Sequence, residues 1–196
     1  MKTYLAIDTA TDTLFVSLTV SGTEVFLYAE TGTRDHAVKL MPTIIKALSD
    51  HSLDPKHLEG IIVGVGPGSY TGVRMGVVVA KMLASEWHVP LFEVSTLALM
   101  ASGCNDDVCG AMIDARNDYV FGAVYNVATA DPVVPPSYIE KTDLLERFPQ
   151  ATFKETLMPN MDRLLNTAWV KAVADIDALT PNYVRRTKAE KDRHDS

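Results

Sequence analysis

Alternating apolar and polar residues mark the opening of the chain as strand. Thr13 to Val20 places Leu14, Val16, Leu18 and Val20 on one face, and the short apolar run from Tyr4 to Asp8 precedes it. Gly22-Thr23 is a turn signal, after which Glu24 to Glu30 can return as a third strand. The period then changes. Ala37, Leu40, Met41, Ile44, Ile45 and Leu48 recur at helical spacing and predict a helix from about His36 to Asp50. Pro42 lies inside that pattern, so the first turn is expected to be kinked or to start late. Leu53 to His57 reads as a loop, and Ile61 to Val65 as a buried β-branched strand. The long apolar stretch from Val73 to Trp87 contains no Pro and reads as a helix. Val89 to Glu93 is a fifth strand, and Ser95 caps a short helix through Ala101. The first half therefore reads β-β-β-α-β-α-β-α.

The second half is less regular. Val108 to Asp114 and Tyr119 to Tyr125 predict a hairpin around Ala115-Arg116-Asn117-Asp118, which repeats the start of the first half. Asn126 to Ser137 contains Pro132, Pro135 and Pro136 and reads as a loop. Thr142 caps a short helix to Phe148, and Pro159 to Val173 reads as a helix with Met161, Leu164, Leu165, Ala168 and Ala172 on one face. Arg185 to Ser196 is a mixed-charge tail. A meander followed by alternating helices and strands is the order of the ribonuclease-H-like half domain found in actin, sugar kinases and Hsp70 chaperones. The expected fold is thus α/β and actin-like (ASKHA), with a complete first lobe over 1–101 and a reduced second lobe over 102–196.

Composition narrows the function classes. The chain has 196 residues, 47% of them apolar, enough for one large domain or two small lobes. A net charge of −7 makes it a poor nucleic-acid binder on its own, because phosphate neutralisation supplies most non-specific affinity. Cys104 and Cys109 are the two cysteines, too few for a disulfide framework and without His at zinc-ligand spacing. The N-terminus reaches Asp8 too soon for a signal peptide, and no apolar run approaches membrane-spanning length. A soluble, cytoplasmic protein with no membrane partner is expected.

Candidate chemistry centres on Gly66-Pro67-Gly68-Ser69-Tyr70-Thr71-Gly72, between a buried strand and a helix start. Unpaired N–H groups and the macrodipole suit such a place to phosphate, with Ser69 and Thr71 as added donors. The alternative is a tight turn that needs small residues. Val73 follows Gly72 where a Walker A loop needs Lys, and the Gly-x-Ser-x-Gly nucleophile elbow is not formed. Asp8, at the end of the first strand, either orients a metal or water near phosphates or caps its own turn. Asp12 is either a second acidic site residue or an exposed turn residue. His36 has Leu40 four residues on, so it is not part of an i, i+4 metal pair. Arg74 and Lys81 share a face of an otherwise apolar helix, which therefore needs cover on more than one side.

Four segments carry a resemblance. Leu5-Ala6-Ile7-Asp8-Thr9-Ala10-Thr11, the loop extended through Val73-Arg74-Met75-Gly76, Ile113-Asp114-Ala115-Arg116, and Tyr183-Val184-Arg185-Arg186 resemble the bacterial TsaB/YeaZ family. The match is strong over the first half and is confined to the hairpin and the end in the second. The resemblance implies a non-catalytic scaffold subunit for a TsaD/Kae1-type transferase. Their complex places a threonylcarbamoyl group on N6 of the tRNA adenosine next to the anticodon. It further implies a TsaE-type ATPase as an additional partner, tRNA contact only through the complex, and a homodimer when the chain is alone. No cofactor is required by this chain, with ATP or ADP left open as a ligand of Gly66, Gly68, Ser69, Thr71 and Gly72 together with Asp8 and Asp12. The implied interface uses Leu40, Met41, Ile44, Ile45, Val78, Val79 and Met82. Two other classes compete: a free-standing ATP-dependent kinase or phosphohydrolase, which needs a full second lobe, and a peptidase, which lacks a metal pair and a nucleophile elbow.

Overall fold

A computed structural model describes residues 2–32 and 35–184. The tail from Arg185 onward lies outside the described residues, as does the end of the fourth resembling segment.

Three strands open the chain: β1 (Tyr4–Asp8), β2 (Thr13–Val20) and β3 (Thr23–Thr31). They form the antiparallel meander that alternation predicts, with Leu5 opposite Leu18 and Ile7 opposite Val16. Helix α1 (His36–Asp50) follows and carries the exposed Pro42 within it. A single 3₁₀ turn leads to β4 (Gly60–Gly64), helix α2 (Tyr70–Trp87), β5 (Leu91–Val94) and helix α3 (Thr96–Ser102). β4 runs parallel to β1, and β5 parallel to β4. The strand order β5-β4-β1-β2-β3 gives a mixed sheet of the ribonuclease-H-like, actin-like type.

The second half forms its own sheet from β6 (Val108–Asp114), β7 (Tyr119–Asn126), β8 (Pro132–Glu140) and β9 (Thr152–Lys154), in the order β8-β7-β6-β9. Helix α4 (Lys141–Arg147) covers it, and α5 (Met161–Asn166) follows. Two expectations need correction. The proline-rich stretch after Asn126 is strand β8, not a loop. It lies at a sheet edge, where prolines that cannot donate to a ladder are tolerated. The helix expected over Pro159 to Val173 is only the six residues of α5. The chain then turns to form β10 (Lys171–Ala172), which pairs antiparallel with β5. The first sheet is therefore completed by a segment from the end of the chain.

The first sheet is a central layer. Leu5, Ile7, Val16, Leu18, Ile61 and Val63 pack against Leu40, Ile44, Val73, Val77 and Ala80 of α1 and α2. On the opposite face, Ala6, Phe15 and Ile62 join α3 and the inner residues Cys109, Ala111, Ala123 and Tyr125 of the second sheet. This explains why β2 is buried on both faces rather than alternating between core and solvent.

Candidate functional site

The glycine loop is clasped onto the β1–β2 turn. Ser69 N donates to Ala10 O at 2.7 Å, and the Thr9 hydroxyl donates to Gly72 O at 2.6 Å. Ser69 is the N-cap of α2, and its Oγ accepts from Gly72 N at 3.3 Å. Gly66 N donates to Thr96 Oγ1 at 3.2 Å, while Thr96 N donates back to Gly66 O at 2.9 Å. A Cβ on Gly68 would sit on the carbonyl of Ala10, and one on Gly72 on the carbonyl of Thr9. Both glycines thus serve a close backbone approach. The donors that would cradle a phosphate are engaged with the chain itself at Gly66, Ser69 and Gly72.

Asp8 is turned inward. Its side chain has no exposed surface; Oδ1 accepts from Ala10 N at 2.7 Å and Oδ2 from the Thr96 hydroxyl at 2.6 Å. Burial pushes its pKa up to about 6, against the lowering effect of those two hydrogen bonds. It ties β1 to α3 and caps its own turn, and it is not part of the cleft wall. A metal-orienting role does not fit a carboxylate held this way.

Between the lobes lies a cleft of about 1160 Å³. The first lobe contributes Asp12, His36 and Gly68 to Gly72; the second contributes Arg116, Lys141 and Tyr119 among others. Asp12 is exposed, and His36 Nε2 lies 3.2 Å from Thr11 O. Lys141 is paired with Glu155 at 3.1 Å. The rim turn Arg116-Asn117-Asp118 is left-handed throughout, with φ of 68°, 53° and 63°. Asp114 Oδ1 supports it by accepting from Arg116 N at 3.1 Å. Sequence reasoning singled out Gly68, Ser69, Thr71, Gly72 and Asp12, which the fold brings together here, but missed the second-lobe wall. Ile113 to Arg116 was visible as a motif without an assigned role. Gly66 and Asp8 lie behind the wall. Among the described residues, no group of three or more His, Cys, Asp and Glu side chains is arranged to hold a metal ion.

The outer face of α1 and α2 differs. Val38, Ile45, Val78 and Met82 are 75%, 59%, 58% and 52% exposed. Met41 and Val79 are half-buried against the core. Leu40 and Ile44 are fully buried under the sheet side of α1, so they are core residues and offer no surface to a partner. The six apolar residues of α1 wrap more than one face, and periodicity alone did not separate the sheet side from the outer side. Val38 is the outer residue that reasoning from the stripe missed.

Fold and site together define a two-lobed actin-like (ASKHA) protein whose glycine loop is bound to its own first turn and whose outer helices are apolar. The family model described as TsaD: tRNA N6-adenosine threonylcarbamoyltransferase matches residues 29–167. The tRNA threonylcarbamoyladenosine biosynthesis protein TsaB of Bacillus subtilis (strain 168) is 30% identical over 220 residues, covering 96% of each chain. The protein of the same name from Escherichia coli (strain K12) is 37% identical over 125 residues, 62% of this chain and 54% of that one. Among solved structures, YeaZ from Pseudomonas aeruginosa superposes with a TM-score of 0.70 at 27% identity, covering 84% of this chain and 89% of that one. A second Pseudomonas aeruginosa structure, of an uncharacterized protein with similarity to peptidase YeaZ, gives 0.77 at 25% identity, covering 94% and 100%. This chain belongs to the TsaB/YeaZ family.

Proposed function

We propose that this chain is a non-catalytic scaffold subunit in the formation of threonylcarbamoyladenosine in tRNA, docking a TsaD-type transferase subunit on the outer face of α1 and α2. The observation that carries this reading is the exposed apolar surface of Val38, Ile45, Val78 and Met82 on two helices that pack against the same core. The TsaD-type family model spans both helices, so a transferase subunit of that family carries their counterparts. Two like-built helix pairs pack face to face as a pseudo-symmetric four-helix bundle. The relatives named above are biosynthesis proteins of this tRNA modification, which supports the pathway. The engaged donors of the glycine loop support a chain that does no phosphate chemistry of its own. A TsaE-type ATPase joins the same assembly, and tRNA is met only through it. Alone, the chain closes the apolar face on a second copy. No nucleotide is required by this subunit, and its place of action is the cytoplasm.

The second reading, a free-standing ATP-dependent kinase or phosphohydrolase, rests on the interlobe cleft with Asp12, Thr71 and Arg116 on its walls. Reconstitution separates the two. Purified chain is assayed for ATP turnover alone, then for tRNA modification with a TsaD-type subunit, the threonylcarbamoyl donor and a TsaE-type ATPase. The scaffold reading expects no turnover alone and modification only in the mixture. Robust turnover by the single chain, abolished by Asp12→Ala, overturns it.

A further inference from the structure

The cleft between the lobes is charged against a phosphate ligand. Lys141 and Glu155 on its wall cancel as a pair at 3.1 Å. That leaves Asp12, Asp114 and Asp118 facing the single guanidinium of Arg116, with His36 beside them. Among the described residues, neither Asp12 nor Asp118 makes an ion pair. Asp114 uses one oxygen to accept from Arg116 N. Tyr70 from the first lobe and Tyr119 from the second add ring surface, 48% and 37% exposed. A concave wall of this sign repels a polyphosphate and draws in a cationic segment.

The chain itself brings such a segment to the cleft. Lys81 Nζ donates to Asp177 O at 2.8 Å and to Leu179 O at 3.1 Å, and Asn182 N donates to Val65 O at 2.8 Å. These bonds fasten residues 177–182 to α2 and to the root of the glycine loop. Tyr183 then stacks on Tyr70, with ring centres 4.7 Å apart and 24° between the planes. Tyr70 is a wall residue, so the sequence after Val184 starts beside the cleft. That sequence is Arg185-Arg186-Thr187-Lys188, three cations in four residues, with Lys191 and Arg193 beyond. Four residues reach up to about 13 Å, before the length of an arginine side chain is added. A segment tethered this closely meets its site at an effective concentration on the order of millimolar, so weak ion pairs suffice to hold it.

We propose that the interlobe cleft is a docking site for the chain's own basic segment beginning at Arg185, whose cations meet Asp12 and Asp118. The proposal does not depend on the outer face of α1 and α2. The test is trypsin cleavage after Arg185, Arg186 and Lys188 in the full chain at low salt, timed by mass spectrometry. The reference is a synthetic peptide of residues 181–196, which offers trypsin the same sequence undocked. Cleavage in the full chain should be slower by about tenfold or more, because it follows the undocked fraction. Asp12→Lys and the milder Asp118→Asn, each checked for folding by circular dichroism, should each speed it by about threefold or more. Raised salt should do the same to the wild type. Cleavage as fast as in the peptide overturns the proposal. So does protection that survives both cleft substitutions. If Val78→Glu removes the protection instead, the segment is held at the outer face and the cleft is not its site.

Discussion

The loop that starts α2 and the outward ridge of the same helix follow opposite rules. At the loop, polar groups are satisfied by the chain: Ser69 N, Gly72 N and the Thr9 hydroxyl all have internal partners. On the ridge, apolar groups are left unsatisfied: Val78 and Met82 stay in water, as do Val38 and Ile45 of α1. The loop's backbone is tied to its own fold while it lines the cleft, whereas Val78 and Met82 are left to solvent. The difference also separates kinds of sensitivity. Changes at the loop should act on folding, and changes on the ridge on assembly.

The largest effect should come from the loop. Gly68→Val puts a branched side chain onto the Ala10 carbonyl, and Gly72→Val onto that of Thr9. Backbone cannot yield as a side-chain tip does, so each is expected to cost on the order of 3 kcal/mol or more. Thermal melting and soluble yield read this directly. A Gly68→Val protein with wild-type melting but no activity in the complex would make the loop a ligand or partner site and erase the contrast.

Much of this was legible in the sequence, for reasons that can be named. The meander and the extent of α1 follow from local periodicity, which these residues satisfy without tertiary help. The glycine loop was found because Gly and Pro punctuate a strand-to-helix joint. What it does was not legible. The short spacing from Gly68 and Gly72 to the carbonyls of Ala10 and Thr9 is a contact between segments about sixty residues apart. Asp8 could equally face a ligand or the core until Thr96, from a third segment, was placed against it. Strand β8 was masked by its prolines, whose meaning depends on lying at an edge. The return of β10 to the first sheet depends on tertiary pairing that two residues cannot signal.

On the ridge, Val78→Glu is the sharpest change. Val78 is exposed, whereas its neighbour Val79 packs on the core, so only the first can be charged without disturbing the fold. Melting should stay within about 0.5 kcal/mol of wild type in free energy. Binding to a second copy and to a TsaD-type subunit should each weaken by roughly a hundredfold, because a charge buried without a partner costs several kcal/mol. Isothermal titration and sedimentation measure the two. Loss of one association but not the other would show that the two partners use different parts of the face.

A smaller effect belongs to Asp8 and appears only as pH changes. Its folded pKa of about 6 lies above the ordinary carboxylate value, so the fold favours the protonated form. The stability linked to it is fully present below about pH 4 and is lost as pH rises through 6. Compared with Asp8→Asn, the wild type should therefore gain roughly 2 kcal/mol on going from pH 7.5 to about 4.5. Urea denaturation of both proteins across that range cancels the titration of the other carboxylates. A flat difference would mean that the carboxylate is better solvated than its burial implies.

The mildest change tests the contrast at its boundary. Ser69 stands at the joint of loop and helix, because its hydroxyl caps α2 and its residue lines the cleft. As a cap alone, Ser69→Ala should cost about 1 kcal/mol, the usual worth of an N-cap hydroxyl. Ser69 N still donates to Ala10 O, so the clasp between loop and first turn survives. The complex should then modify tRNA at close to the wild-type rate once the variant is folded, and a melting curve beside a modification assay reads both effects. If the rate falls by tenfold or more while melting shifts by no more than the cap predicts, the hydroxyl meets a ligand in the cleft. The loop would then be a working part of the assembly rather than a sealed joint.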